Sequence, residues 1–204
     1  MLSFASNLSS KSDALLLFVT ESYEYKDKKR IFSKELIQRI DLFLKSLKSK
    51  SKKEEINSFD ISDKKKCFVI KIKNERPNYY FEDVGGAFFS YVKKLNNINS
   101  IDIYADSLNE NKEKLIKYFS EFIFGFNLKS YSFKKYKTSN KKEEFNSEIN
   151  SKIITSYKNQ IENNYKYYNA IKEGVFLTRD LVSEPGNILH PDEYVKRLLK
   201  LKKY

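Results

Sequence analysis

Short, continuous apolar runs alternate along the chain with longer segments in which apolar residues recur at every third or fourth position. The short runs predict β-strands at 13–20, 65–73 and 100–106, and a further strand is expected at 152–157. The longer segments are typical of amphipathic helices and cover 33–48, 84–97, 109–126 and 159–184. Because strands and helices of these lengths alternate, the pattern predicts an α/β sandwich with a largely parallel or mixed sheet.

Polar stretches between these elements indicate the connections. Residues 49–58 and 138–151 are rich in Lys, Glu, Asn and Ser, and we predict a solvated linker and a polar loop there. Gly85 and Gly86 are predicted to open the helix of 84–97. Two glycines alone do not form a phosphate-binding loop, so close packing of a loop on the sheet is favoured over a phosphate site.

The composition is that of a packed domain. Hydrophobic residues make up 40% of the chain and aromatic residues 15%, which supports a core rather than disorder. Cys67 is the only cysteine, so no disulfide forms within the chain, and it is expected to be buried on a strand. No apolar run approaches the length of a membrane helix, and the first residues lack the pattern of a signal peptide. We therefore expect a cytoplasmic protein without membrane contact.

A net charge of +12 raises the question of nucleic-acid binding. The excess is nearly all Lys and is spread along the chain, whereas Arg, whose planar fork suits phosphate and base contacts, is scarce. Weak, nonspecific binding to nucleic acid is the expectation.

Few residues are placed for catalysis. His190 is the only histidine and stands before Pro191, so it is predicted to be a surface cap of a last helix rather than a catalyst. Arg179, Asp180 and Glu184 lie among apolar residues at the end of the fourth helix. Because buried charges must be paired, they predict an ion-pair and hydrogen-bond cluster that fixes the exit of the chain.

The segment from 173 to 201, "EGVFLTRDLVSEPGNILHPDEYVKRLLKL", resembles the junction segment of the leucyl aminopeptidase family, the dinuclear-metal cytosol aminopeptidases. A second, upstream stretch resembles the family's Y-x-F-x-x-Y-K-T pattern and follows a glycine, Gly125. Ser183 and His190 depart from the family pattern, in which Asn and Thr are usual. The predicted structural signature of the family comprises Tyr131, Phe133, Tyr136, Lys137, Thr138, Gly174, Arg179, Asp180, Glu184, Pro185, Asn187 and Pro191.

The resemblance implies an N-terminal domain with a macro-domain-like three-layer sandwich, a mixed sheet flanked by helices. A long linker helix and a short helical stub would follow. The expected domains are 1–150 for the N-terminal domain, and 151–204 for the linker helix and the start of the peptidase domain. The resemblance also implies the partners of this chain, which would be the catalytic domain or other subunits of the family's hexamer.

The family's metal-binding stretches, G-K-G-x-T-F-D-S-G-G and N-T-D-A-E-G-R, do not occur in this sequence. They would hold two divalent metals, Mn or Zn, in the complete enzyme. No catalytic or metal-binding residue is therefore expected here, and the chain alone is expected to be inactive. Two alternatives stay open. One is a stand-alone basic α/β module that binds nucleic acid or a nucleotide-like ligand, and the other is a relic whose exposed last helix frays or self-associates.

Overall fold

A six-stranded mixed sheet organises the part of the chain that the structure describes. The structure is a computed structural model, and it describes residues 2–27, 31–49, 54–95, 97–136 and 149–201. The strands are β1 Leu2–Ala5, β2 Ala14–Val19, β3 Ile56–Ser62, β4 Lys65–Lys71, β5 Ser100–Tyr104 and β6 Asn150–Ile154. The helices are α1 Lys34–Ser49, α2 Tyr80–Lys93, α3 Lys112–Lys129, α4 Lys158–Ser183 and α5 Pro191–Leu201, and a 3₁₀ turn spans Ala105–Ser107.

The strand order is β1-β6-β5-β2-β4-β3, and every neighbouring pair is parallel except β3 with β4. Successive side chains of a strand point to opposite faces of the sheet. In β2, Leu16 and Phe18 belong to the core on one face, which also contains buried residues of α2, α3 and α4. Leu15 and Leu17 belong to the core on the other face, which α1 covers. The predicted three-layer sandwich with a mixed sheet, a long helix and a short helix is therefore confirmed.

Helices α2 and α3 approach each other backbone to backbone. A Cβ atom added at Gly85 would lie 2.1 Å from the carbonyl oxygen of Phe122, and one added at Gly125 would lie 1.9 Å from that of Glu82. Helix α2 begins at Tyr80 and not at the glycines, because Tyr79 turns the chain in a left-handed conformation just before it. The prediction that Gly85 opens the helix is wrong. The predicted packing of a loop on the sheet is wrong as well, because Gly85 lies inside α2 and packs against the backbone of α3.

Two edge elements differ from the sequence prediction. The solvated linker predicted at 49–58 is wrong at its end, because β3 starts at Ile56 and pairs with β4. Strand β1 was not predicted, since its four residues are too short for a periodicity to appear. Most of the polar loop predicted at 138–151 lies outside the described residues.

Strand β6 lies between β1 and β5, so the sheet itself extends to Ile154. The domain boundary at 150 remains a prediction. Among the described residues, no helix is both long and apolar enough to cross a membrane. Cys67 is fully buried on β4, as predicted, and its burial raises the pKa of the thiol.

Candidate functional site

The end of α4 is tied to the segment that follows α3. The Tyr131 hydroxyl donates a hydrogen bond of 2.7 Å to a carboxylate oxygen of Asp180. The Arg179 guanidinium donates to the carbonyl oxygen of Leu128 at 2.9 Å and lies 5.5 Å from the centre of the Tyr131 ring. Cation–π and hydrogen-bond contacts of this kind hold two segments in one register.

A second group of side chains, which we call the Glu184 cluster, surrounds the carboxylate of Glu184 directly after α4. Lys135 and Arg197 form ion pairs with it, and the Tyr136 hydroxyl donates a hydrogen bond to it. The Arg197 contact measures 2.8 Å, and Arg197 also lies 3.1 Å from Glu193 within α5. The Glu184 side chain is only 1% exposed although it lies away from the main core, because its partners cover it.

Hydrogen bonds from Lys135, Tyr136 and Arg197 lower the pKa of Glu184 from 4.5 to about 2. A carboxylate with such a low pKa is a poor general acid or base near neutral pH. Its three partners come from the 131–136 segment and from α5. The arrangement therefore fastens α5 and that segment to the end of α4 and is not organised for proton transfer.

The structure brings together five of the predicted signature residues in these two sets of contacts: Tyr131, Tyr136, Arg179, Asp180 and Glu184. Phe133 packs near Tyr136, with ring centres 5.8 Å apart.

The remaining signature residues lie apart from these contacts. Pro185 accepts two backbone hydrogen bonds of 2.9 Å in the turn between α4 and α5, and Asn187 is exposed in the same turn. Pro191 is the first residue of α5, and the preceding His190 is exposed.

Gly174 lies within α4, and nothing stands within 4 Å of a Cβ added there. Lys137 and Thr138 lie outside the described residues. The role of the twelve residues as a family signature remains a prediction.

Sequence reasoning missed the two cations of the Glu184 cluster. Lys135 is one of many lysines in its region, and nothing in the sequence distinguishes it. Arg197 carries a weak signal, since it stands four residues after Glu193 on a helix, where the two side chains are neighbours.

Metal ligands do not converge in the described part of the chain. No group of three or more His, Cys, Asp and Glu side chains there could hold a metal ion. The described residues therefore do not fit the two-metal centre that the resemblance implies for the complete enzyme.

The fold and the junction define a class before any relative is considered: a macro-domain-like sandwich with a long helix leading away from it. The macrodomain of Thermus aquaticus DarG shares the fold, with a TM-score of 0.50 and 11% identity over 76% of this chain and 98% of that chain. A tomato leucine aminopeptidase mutant matches with a TM-score of 0.71 and 18% identity over 99% of this chain and 42% of that chain. These likenesses establish the fold.

Sequence relatives give the more particular assignment. The probable cytosol aminopeptidase of Phytoplasma australiense is 38% identical over 122 residues, 59% of this chain and 23% of the relative. That of Phytoplasma mali is 35% identical over 121 residues, 58% of this chain and 24% of the relative. No family model matches the chain. The chain is similar to these cytosol aminopeptidases over somewhat more than half of its own length, and the similar segment spans about a quarter of the length of each relative.

Proposed function

We propose that this chain is the N-terminal, non-catalytic region of a leucyl aminopeptidase. The complete protein would release N-terminal amino acids from peptides with the help of two divalent metal ions, Mn or Zn. The identity of 38% to a probable cytosol aminopeptidase carries the proposal.

The surface of α5 supports the proposed partner, the catalytic domain or a neighbouring subunit. None of the residues of α5 is buried, yet the helix is strongly amphipathic. The exposed apolar side chains of this helix and of the end of α4 are Val182, Tyr194, Val195, Leu198, Leu199 and Leu201. On α5 these side chains recur at helical spacing, and an exposed apolar helix face of this kind supports an interaction site.

An assay with the isolated chain tests the non-catalytic role. The purified 204-residue chain is incubated with leucine p-nitroanilide and Mn²⁺, and no turnover is expected. The complete Phytoplasma australiense relative, treated identically, serves as the positive control. Turnover by the isolated chain, at a level that follows the chain through purification, would contradict the proposal.

A chimera tests the aminopeptidase assignment. Residues 1–201 of this chain replace the matching region of the Phytoplasma australiense relative, and peptidase activity is expected to be retained. Replacing two exposed apolar residues of α5, Val195→Glu with Leu199→Glu, is expected to lower that activity by disrupting the interface. A folded chimera without activity would argue against this role.

The alternative of a stand-alone basic module for nucleic acid or a nucleotide-like ligand has one observation in its favour. The macrodomain fold is combined with a net charge of +12. The salt dependence of nucleic-acid binding distinguishes this alternative from general attraction to phosphates.

A further inference from the structure

A cavity of about 630 Å³ opens between the sheet and the helix layer formed by α2, α3 and α4. Leu2, Ile149 and Ser151 line it from the sheet, so it lies where β1 and β6 begin. Its volume falls within the range of small-molecule sites, roughly 300 to 1,000 Å³. Ligands of open α/β sheets usually bind at the opposite end, beyond the carboxyl ends of the strands. The position of this cavity therefore differs from the usual site of such folds.

A buried hydroxyl group lines this cavity. Ser151 is 4% exposed and stands two residues from Ile149, just before β6, and two residues from Ile153, both of which belong to the core beneath the helix layer. Its side chain therefore points to the helix side of the sheet, toward the cavity. The Ser151 hydroxyl has no hydrogen-bond partner among the described residues. Buried polar side-chain atoms are nearly always hydrogen-bonded, so a group without a partner requires an explanation.

The other walls combine an apolar surface with polar groups. Phe89 of α2 and Phe126 of α3 are buried, and their rings pack edge to face 5.1 Å apart. The Asn127 side-chain amide donates a hydrogen bond of 2.6 Å to the Tyr165 hydroxyl. The carbonyl oxygen of the same amide is a further acceptor. Asn169 of α4 also lines the cavity. A ligand with an apolar body and one polar end fits such walls.

The charges of the lining favour an anion. Lys134 and Lys172 line the cavity, and Asp180 is the one carboxylate among the described lining residues. Asp180 already accepts a hydrogen bond from Tyr131. Lys172 lies 3.0 Å from Glu173, but that carboxylate is 65% exposed and does not line the cavity. The Lys172 side chain is 17% exposed, and Asn169 accepts a hydrogen bond from its ammonium group at 2.9 Å.

We propose that this cavity binds a small organic carboxylate with an apolar body. Phe89 and Phe126 contact the body, Ser151 donates a hydrogen bond to the ligand, and Lys172 attracts its carboxylate. The inference rests on the cavity and the Ser151 hydroxyl and does not depend on the peptidase assignment.

Titration with phenylacetate tests the site, because this probe has an aromatic body and one carboxylate. The full chain is titrated, and the backbone amide signals are followed by nuclear magnetic resonance. Saturable shifts are expected near Asn127, Ser151 and Asn169. Phenylacetamide, which has the same shape without the charge, is expected to bind at least about tenfold more weakly, since charged hydrogen bonds are the stronger ones. Inorganic phosphate should produce no shifts at these positions.

Two substitutions and a matched control locate the binding. Ser151→Ala and Lys172→Met are each expected to weaken phenylacetate binding by about tenfold. Lys166→Met, at an exposed lysine of α4 that does not line the cavity, should leave the affinity unchanged. Ser151→Ala is expected to keep the melting temperature, because the hydroxyl has no partner to lose within the described residues.

The proposal is overturned if phenylacetate gives no saturable shifts in the folded protein, or if phenylacetamide binds equally well. It is also overturned if Ser151→Ala and Lys166→Met have the same effect on affinity. None of these readouts measures peptide hydrolysis, so failure here leaves the aminopeptidase proposal unaffected.

Discussion

The carboxylate of Glu184 joins two segments that are distant in the sequence. Its folded-state pKa of about 2 lies below the ordinary value of 4.5, so its contacts stabilise the fold above about pH 4.5. That stabilisation is lost as the pH falls from 4.5 toward 2. Glu184→Gln is therefore expected to lower the melting temperature at pH 6.5, and the difference from the unsubstituted protein should shrink at pH 3.

The control for this prediction is Glu75→Gln, at an exposed position in the loop before α2. It should leave the melting temperature unchanged at both pH values. If the difference in melting temperature between Glu184→Gln and the unsubstituted protein is the same at pH 6.5 and pH 3, the carboxylate charge does not stabilise this junction.

Glycine substitutions measure the helix contact at the scale of elements. In Gly85→Ala the new Cβ would meet the backbone of α3, which cannot move aside as a flexible side chain can. The free energy of unfolding is expected to fall by at least about 2 kcal/mol, as measured by urea denaturation.

Two other glycines act as controls, for which no loss in the free energy of unfolding is expected. Gly86→Ala meets its first neighbour at 3.6 Å, an ordinary contact, and should not lower the free energy of unfolding. Gly174→Ala is expected to raise the free energy of unfolding by about 0.5–1 kcal/mol, because the position is open and alanine favours a helix. Equal losses for Gly85→Ala and Gly86→Ala would contradict the close contact.

Helix α5 is predicted to be the least stable of the described helices. None of its residues is buried. Among the described contacts, the ion pair between Arg197 and Glu184 links this helix to the end of α4. Amide hydrogens of 194–201 should exchange at least about a hundredfold faster than those of 115–126 in α3. Equal protection of the two helices would contradict this prediction. Protection of α5 that increases with protein concentration would instead reveal self-association.

The elements that the sequence predicted well are those whose buried residues form a simple pattern, either a continuous apolar run or apolar residues at helical spacing. The six residues of β2 are all buried, and the helix of 33–48 buries Ile40, Leu44 and Leu47 at helical spacing. Strand β3 was missed because Asn57 and Asp60 resemble the charged stretch before them. Yet Asn57 is buried, and the ring of Phe59 packs on Phe43 of α1. Half-covered edge strands depend on such tertiary contacts, which a local pattern does not contain.

The sequence predicts that a charged cluster lies at the end of α4, but it does not predict which residues pair within that cluster. Arg179, Asp180 and Glu184 indicated a charged cluster at a helix end. The partners Tyr131, Lys135 and Arg197 come from other segments, and only the packing of α4 against α3 decides which of them meet. The Ser151 hydroxyl, which has no partner in the described part of the chain, carries no sequence signal, because its state depends on what surrounds one position of β6.

For the molecule as a whole, the excess of Lys predicts only general attraction to phosphates. Binding of a short DNA duplex should be detectable in a gel shift at about 50 mM salt and absent by about 200 mM, with equal affinity for unrelated sequences. A retarded band that persists at the higher salt, or that prefers one sequence, would favour the stand-alone binding module over the aminopeptidase proposal.

The position of β6 between β1 and β5 also governs when the sheet can form. Ser151 pairs with Leu2 on one side and with Ile101 on the other, so the first strand of the chain joins the sheet through the last. On a ribosome that adds residues in order, β1 waits without a neighbour and β5 presents a bare edge until 150–154 has emerged. Long-range pairings of this kind form late, and open strand edges are prone to aggregate meanwhile. A nascent chain stalled before β6 is therefore a natural client for a chaperone.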